Sequence, residues 1–313
     1  MKVYNGIENY PEGSSSVVAT IGNYDGLHLG HQAILESMAQ AAQRKKLTSL
    51  VITFSPHPLV VVAPEHKPRL LQTRRQSLES FEAAGLDAVL ILRFDRALAS
   101  LSGEAFFSEV LVGPVRFDEI HVGDNFRFGK DRRGNVELLT QIGKKRRFGV
   151  VGVPQIRVDE LVISSSAIRG VVEDGKVELV RKMLGRPFAV VGEVVEGEGR
   201  GRLLQFPTAN LEIENEMIPR RGVYVTETVV LATRHASVTN VGVRPTYGGT
   251  SLTVETHILD YSADLYGERA EVRFLARLRD EERFSGPEAL ADQIARDRAA
   301  AVAYFQNLQI TSI

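Results

Sequence analysis

Between residues 17 and 153 short β-branched runs alternate with longer helix-like stretches, and after Gly185 that alternation stops. This change of texture limits the fold more than any other feature of the chain. Runs at 17–21, 50–54, 88–94, 119–122 and 150–153 predict parallel strands joined by crossover helices. The first helix is predicted over 30–44, because Ile34, Leu35, Met38, Ala41 and Ala42 share one face at a 3.6-residue period. An open, doubly wound α/β sheet follows, with ligands expected beyond the carboxyl ends of its strands. A boundary helix is predicted over 164–185, opened by a serine run and closed by Gly185 before Pro187. Beyond it, strand-like runs at 188–195, 222–230, 236–241, 252–259 and 270–274 are separated by Gly, Pro and Asn turns, which predicts an antiparallel barrel or sandwich. Pro287 stands near the start of a last helix whose Leu290, Ile294, Ala301 and Phe305 fall on one side. At about 150 residues per domain, 313 residues suit two domains, here 1–184 and 185–313.

Composition narrows the chemistry. With 43% hydrophobic and 25% charged residues the chain is neither disordered nor fibrous. It has no cysteine, so disulfides, thiolate nucleophiles and zinc fingers are excluded, in keeping with a reducing cytosol. The net charge is −1, and neither part is basic enough to form a nucleic-acid surface by charge alone. The basic run Lys144-Lys145-Arg146-Arg147 suits a solvated face. No signal peptide or membrane span is expected, so the protein is predicted to be cytoplasmic, with neither membrane nor nucleic acid as a partner, and a monomer or weak homo-oligomer.

The stretch Gly22-Asn23-Tyr24-Asp25-Gly26-Leu27-His28-Leu29-Gly30-His31 links the first strand to the first helix. Glycines permit a tight turn and close backbone approach, while a helix N-terminus offers unpaired N–H groups and a positive dipole end, both suited to phosphate. Two imidazoles there can stabilise a transferring phosphoryl group. A dinucleotide fingerprint fails on glycine spacing, and a zinc helix fails because the histidines are three apart with no Glu between them. An incidental Gly-rich turn remains the alternative.

The His28-Leu29-Gly30-His31 string resembles the HxGH signature of nucleotidyltransferases, and the longer block resembles the bacterial bifunctional riboflavin kinase/FAD synthetases. Three further blocks agree in order: Thr53-Phe54-Ser55-Pro56-His57-Pro58, residues 122–129 around Asn125 and Arg127, and Ile163-Ser164-Ser165-Ser166-Ala167-Ile168-Arg169. The resemblance implies a Rossmann-like nucleotidyltransferase domain that transfers AMP from ATP to FMN, giving FAD and pyrophosphate. It assigns His28 and His31 to the α-phosphate, Gly22, Asn23, Asp25 and Gly30 to the turn, and Asn125 and Arg127 to the border of the nucleotide. Ser164, Ser165, Ser166 and Arg169 take the outer phosphates, although a serine run also serves as a plain helix cap. His57 suits either a rigid turn or the site.

After Gly185 all 14 basic residues are arginine, so no Walker lysine exists there. Residues 197–202 (Gly-Glu-Gly-Arg-Gly-Arg) and Phe206-Pro207-Thr208-Ala209-Asn210 read on composition as a flexible hairpin and a polar turn. These strings, with Gly185-Arg186-Pro187-Phe188, Gly222-Val223-Tyr224, residues 240–246 and Glu255-Thr256-His257-Ile258-Leu259-Asp260, resemble in order the flavokinase barrel of the same enzymes. The resemblance implies phosphorylation of riboflavin to FMN, with Gly199, Gly201 and Arg202 at the nucleotide, Thr208 and Asn210 at the metal and Glu255 as general base. ATP, riboflavin, FMN and FAD are the implied partners. An alcohol acceptor must lose a proton, so a base worth about 10²- to 10⁴-fold is useful. A helix terminus supplies only about 0.3–1 kcal/mol against the ~8 kcal/mol or more that enzymes remove from a barrier, so Mg²⁺ is expected to arrive with ATP. Two departures stand out: Gln205 where the family has glycine, and Tyr24 where it has phenylalanine. Glutamine at a position needing positive φ would leave an adenylyltransferase with a weakened kinase.

Overall fold

The computed structural model of the chain describes residues 1–197, 206, 208–246 and 249–311, without the side chains of 244–246, 249–251 and 308–311. It forms two compact units, one of Met1–Leu70 with Arg74–Ser165 and the other of Leu71–Thr73 with Ser166–Ile313.

The first unit is a six-stranded parallel sheet in the order β1-β4-β3-β2-β5-β6, from β1 (Lys2–Asn5), β2 (Val17–Ile21), β3 (Thr48–Ser55), β4 (Ala88–Arg93), β5 (Phe117–Gly123) and β6 (Gly149–Val153). β2 is buried at every position, as a central strand covered on both faces must be. Alternate residues feed two cores. Ala19, Ile21, Leu50, Ile52 and Leu90 meet Phe106, Phe107 and Leu139 on one face. Val18, Val51 and Val89 meet Leu35, Met38 and Ala41 of α1 (Leu29–Lys45) on the other. The sheet is therefore doubly wound. Strand order reverses between β2 and β5, so the turns that leave these two strands flank the point where such sheets bind ligands. The predicted strands are all present within a few residues; β1, a four-residue edge strand, was not expected.

The boundary helix predicted over 164–185 is two helices, α2 (Ser165–Glu173) and α3 (Val177–Leu184). Gly175 between them takes a left-handed φ of 74°, and a β-carbon there would lie 2.9 Å from Tyr224 Oη. Glu178 of α3 accepts the Arg277 backbone N–H at 3.0 Å, so this pair of helices belongs with the second unit.

That unit is a closed antiparallel barrel, which decides between the two predicted β architectures. Its strands, numbered onward from the hairpin β7 (Arg157–Val158) and β8 (Leu161–Val162), are β9 (Phe188–Val195), β10 (Ala209–Ile213), β11 (Gly222–Val230), β12 (Thr233–Thr246), β13 (Gly249–Ile258) and β14 (Arg269–Arg279). They close in the order β10-β13-β12-β11-β14-β9 and leave no free edge. β10 corrects the sequence reading, which placed Asn210 in a polar turn. Inside the barrel Thr226, Thr228, Ser237, Thr239 and Thr256 are fully buried and joined by hydroxyl–hydroxyl hydrogen bonds of 2.7 to 3.3 Å. Helix α4 (Pro287–Thr311) covers part of the outer wall, where Ala301 meets Val225, Leu259 and Leu275. It is fixed there by Asp297, which accepts Arg279 Nε at 3.0 Å and Nη2 at 2.8 Å.

Candidate functional site

In the first unit the residues between β2 and α1 make a compressed turn. Tyr24, Gly26 and Leu27 have φ of 52°, 82° and 40°, and the backbone N–H of His31 donates to His28 Nδ1 at 3.2 Å, making His28 the N-cap of α1. The two imidazoles stack, with centroids 3.6 Å apart and planes 16° apart. A β-carbon on Gly30 would lie 3.2 Å from the His28 ring, tighter than ordinary contact, so glycine lets that ring fold over the helix start. Tyr24 meets His31 edge-on at 5.1 Å, and its hydroxyl bonds Thr20 Oγ1, which donates to the His121 carbonyl at 2.6 Å. The Tyr24 hydroxyl is thus satisfied. Burial, and the like charge that His28 would carry, push His31 well below the ordinary imidazole value and keep it neutral. His31 Nδ1 is shut from solvent with no hydrogen-bond partner among the described residues. Burial pushes Tyr24 upward, so its phenol stays protonated.

Other predicted residues gather at the same end of the sheet. His57, after β3, accepts the Leu59 N–H on Nδ1 at 3.2 Å, so its ring proton sits on Nε2. The Asn23 amide lies 3.3 Å from that Nε2 and is read with its oxygen toward it. Ser165 donates to the Asp25 carbonyl at 2.8 Å, tying the serine block to the glycine turn. Asp25 is itself buried. Gly123 at the end of β5 has Asn125 Oδ1 and Ile34 of α1 as neighbours, at 3.2 and 3.5 Å from where a β-carbon would sit. Asn125 and Arg127 are exposed, and among the described residues the Arg127 guanidinium reaches its neighbour's carbonyl, that of Phe126. Ser164 belongs to this unit, Ser166 and Arg169 to the other.

In the second unit Glu255 of β13 is paired directly with Asn210 of β10 on one side and Asn240 of β12 on the other. Val254 and Thr256 point into the barrel, so these three residues, all half-buried, lie in one row on its outer wall. Phe206 meets His257, two residues along that wall, edge-on at 5.6 Å. A β-carbon on Gly197 would fall 2.1 Å from Asn210 Nδ2, so only glycine leaves the amide where it is. Gly199, Gly201, Arg202 and Gln205 lie outside the described residues. Among the described residues no group of three or more His, Asp or Glu could hold a metal. The available oxygens, on half-buried Thr208 and Asn210, fit a Mg²⁺ that arrives on a nucleotide and keeps most of its own ligands. Sequence reasoning passed over Thr20 and gave Asn240, the first residue of the 240–246 block, no role; strand register places Asn240 beside Glu255, and burial places Thr20 beneath Tyr24.

Stacked histidines capping a helix at the switch point of a parallel sheet, joined in one chain to a barrel bearing an Asn–Glu pair, define a nucleotidyltransferase-like domain followed by a flavokinase-like one. Residues 11–167 match the FAD synthetase family and residues 184–305 the riboflavin kinase family. A bifunctional riboflavin kinase/FMN adenylyltransferase of Escherichia coli strain K12 is 37% identical over 307 residues, 97% of this chain and 98% of that protein. One from Pseudomonas fluorescens is 37% identical over 302 residues, 96% and 97% of the two chains. A crystal structure described as a macrolide-efflux protein from Streptococcus pneumoniae matches with a TM-score of 0.87 at 27% identity, covering 96% of this chain and 99% of that one. The chain belongs to the bifunctional riboflavin kinase/FMN adenylyltransferase family. No helix among the described residues is long and apolar enough to cross a membrane.

Proposed function

We propose that this protein phosphorylates riboflavin to FMN with ATP and then adenylylates FMN to FAD, releasing pyrophosphate, in the cytoplasm where ATP and Mg²⁺ are supplied. One observation carries the reading: each compact unit holds its own cluster suited to phosphate, the His28–His31 stack in the first and the Asn210–Glu255 pair in the second.

In the first site the attacking FMN phosphate is already ionised, so no base is needed. The task is alignment and charge stabilisation. Because His28 Nδ1 accepts the His31 amide, a neutral His28 carries its proton on Nε2 and donates from there to an α-phosphate oxygen. His31, held neutral without its partner, supports the stack and offers its own ring as the transition state gathers charge. Gly22, Asn23, Asp25 and Gly30 shape the turn, His57 orients Asn23, and Asn125, Arg127, Ser164 and Ser165 serve the nucleotide and its leaving pyrophosphate.

In the second site Glu255 takes the proton of the riboflavin hydroxyl as its oxygen bonds to the γ-phosphorus and the bond to ADP breaks. Thr208 and Asn210 hold the metal–triphosphate, with Gly199, Gly201 and Arg202 as nucleotide-binding residues. Bound there with ATP, Mg²⁺ would supply charge neutralisation to the triphosphate. The test is incubation with riboflavin, ATP and Mg²⁺ followed by chromatography of the flavins. FMN and then FAD are expected; FAD formed only when FMN is supplied would reduce the protein to an adenylyltransferase, and no conversion would refute both activities.

A further inference from the structure

The outer-wall row does not end at Glu255. Asn240 stands opposite it on β12, one register step from the Thr239–Thr256 pair, whose hydroxyls meet at 2.8 Å inside the barrel. Directly opposed residues on neighbouring strands share a face and have β-carbons about 4.5–5.5 Å apart. Asn240 therefore flanks the Glu255 carboxylate from the side away from Asn210. Its amide is half-buried and has no hydrogen-bond partner among the described residues. Gly242 makes room for that amide: a β-carbon there would lie 3.1 Å from Asn240 Nδ2 and 2.7 Å from Glu281 Oε1. A glycine thus adjoins each amide of the row, Gly197 beside Asn210 and Gly242 beside Asn240.

We infer that Asn240 is a positioning residue for the acceptor, its amide hydrogen-bonding the polyhydroxyl chain of riboflavin so that the terminal alcohol meets Glu255. The inference rests on the reading of Glu255 as base. The row then has a division of labour. Asn210 lies on the nucleotide side and Asn240 on the acceptor side, with the proton acceptor between them. A flexible chain of hydroxyls needs such a hold, because an alcohol displaced by an ångström loses in-line geometry. An amide offers both a donor and an acceptor, which suits hydroxyls that can play either part.

The test is steady-state kinetics of riboflavin phosphorylation by Asn240→Ser, which keeps a polar side chain but loses the reach. Its KM for riboflavin is expected to rise roughly 5- to 10-fold, the worth of one neutral hydrogen bond, with KM for ATP within about twofold of wild type. An unchanged KM for riboflavin, or equal rises for both substrates, overturns the inference. Should the serine variant not fold, isosteric Asn240→Asp loses the N–H donors and is read by the same split. Glu255→Gln, assayed alongside, separates the two ideas. If it retains full kinase activity the base assignment itself is wrong; if it is inactive while the Asn240 variants show no riboflavin effect, only the role of Asn240 falls.

Discussion

Replacing His31 by glutamine should flatten a pH dependence of stability that the native chain carries in its first domain. In the folded protein His31 is held well below the ordinary 6.5 by burial first and by His28 second. In the unfolded chain it titrates normally. Above pH 6.5 the imidazole is neutral in both states and contributes no pH dependence. As pH falls below that value the unfolded chain takes up a proton that the folded one refuses, so stability is lost at about 1.36 kcal/mol per pH unit until the folded group also protonates. From pH 7.5 to 5.0 the loss has an upper limit of about 2 kcal/mol, or roughly 4–8 °C in Tm for a domain of this size, reached if the folded ring stays neutral throughout. Calorimetric melting of ligand-free wild type and His31→Gln at the two pH values measures it. His121, also lowered by burial, remains in both proteins, so the difference between them isolates His31. Equal acid shifts in the two proteins would show that the stacked ring is not shielded as described.

Three other outcomes are expected. His31→Ala should abolish conversion of FMN to FAD while leaving riboflavin phosphorylation intact, and Glu255→Gln should do the reverse by about 10²-fold or more, both read by flavin chromatography. Gly197→Ala should lower kinase activity with little change in melting temperature, because the new methyl group overlaps a movable amide, that of Asn210, and not backbone. Asp297→Ala leaves Arg279, 17% exposed, with the Asp280 carbonyl and no carboxylate, and should cost the barrel about 1.5–3 kcal/mol in a denaturant titration; a loss under 1 kcal/mol would mean that α4 is held by its apolar contacts alone.

The parallel half of the fold was legible because its signal is local: β2 is apolar throughout and α1 carries a clean helical stripe, so their type and extent follow from periodicity. β1 escaped because four residues, two of them polar, form a strand only by pairing with β4 eighty residues on. β10 escaped because Ala-Asn-Leu-Glu-Ile follows a turn motif and becomes a strand through partners on both sides. The predicted boundary helix splits at Gly175, which takes a left-handed φ of 74° after α2, and a β-carbon there would also crowd Tyr224 Oη and Arg277 Nε, contacts that spacing does not show. Within the sites, the glycine turn announced itself through strand, glycine and helix in sequence. Glu255 did not, since alternation alone makes any residue between Val254 and Thr256 an outward-facing one. Its meaning comes from the two asparagines that register brings alongside.

Five hydroxyls on three strands bond to one another across the barrel interior, so among the described residues this part of the lumen is filled by the chain's own side chains. The proposed Asn210–Glu255–Asn240 row lies on the other face of the same strands, so the bonded interior and the proposed site share a backbone but no side chains. Residues of that outer row can therefore be exchanged while the bonded interior, and with it the scaffold, is left alone.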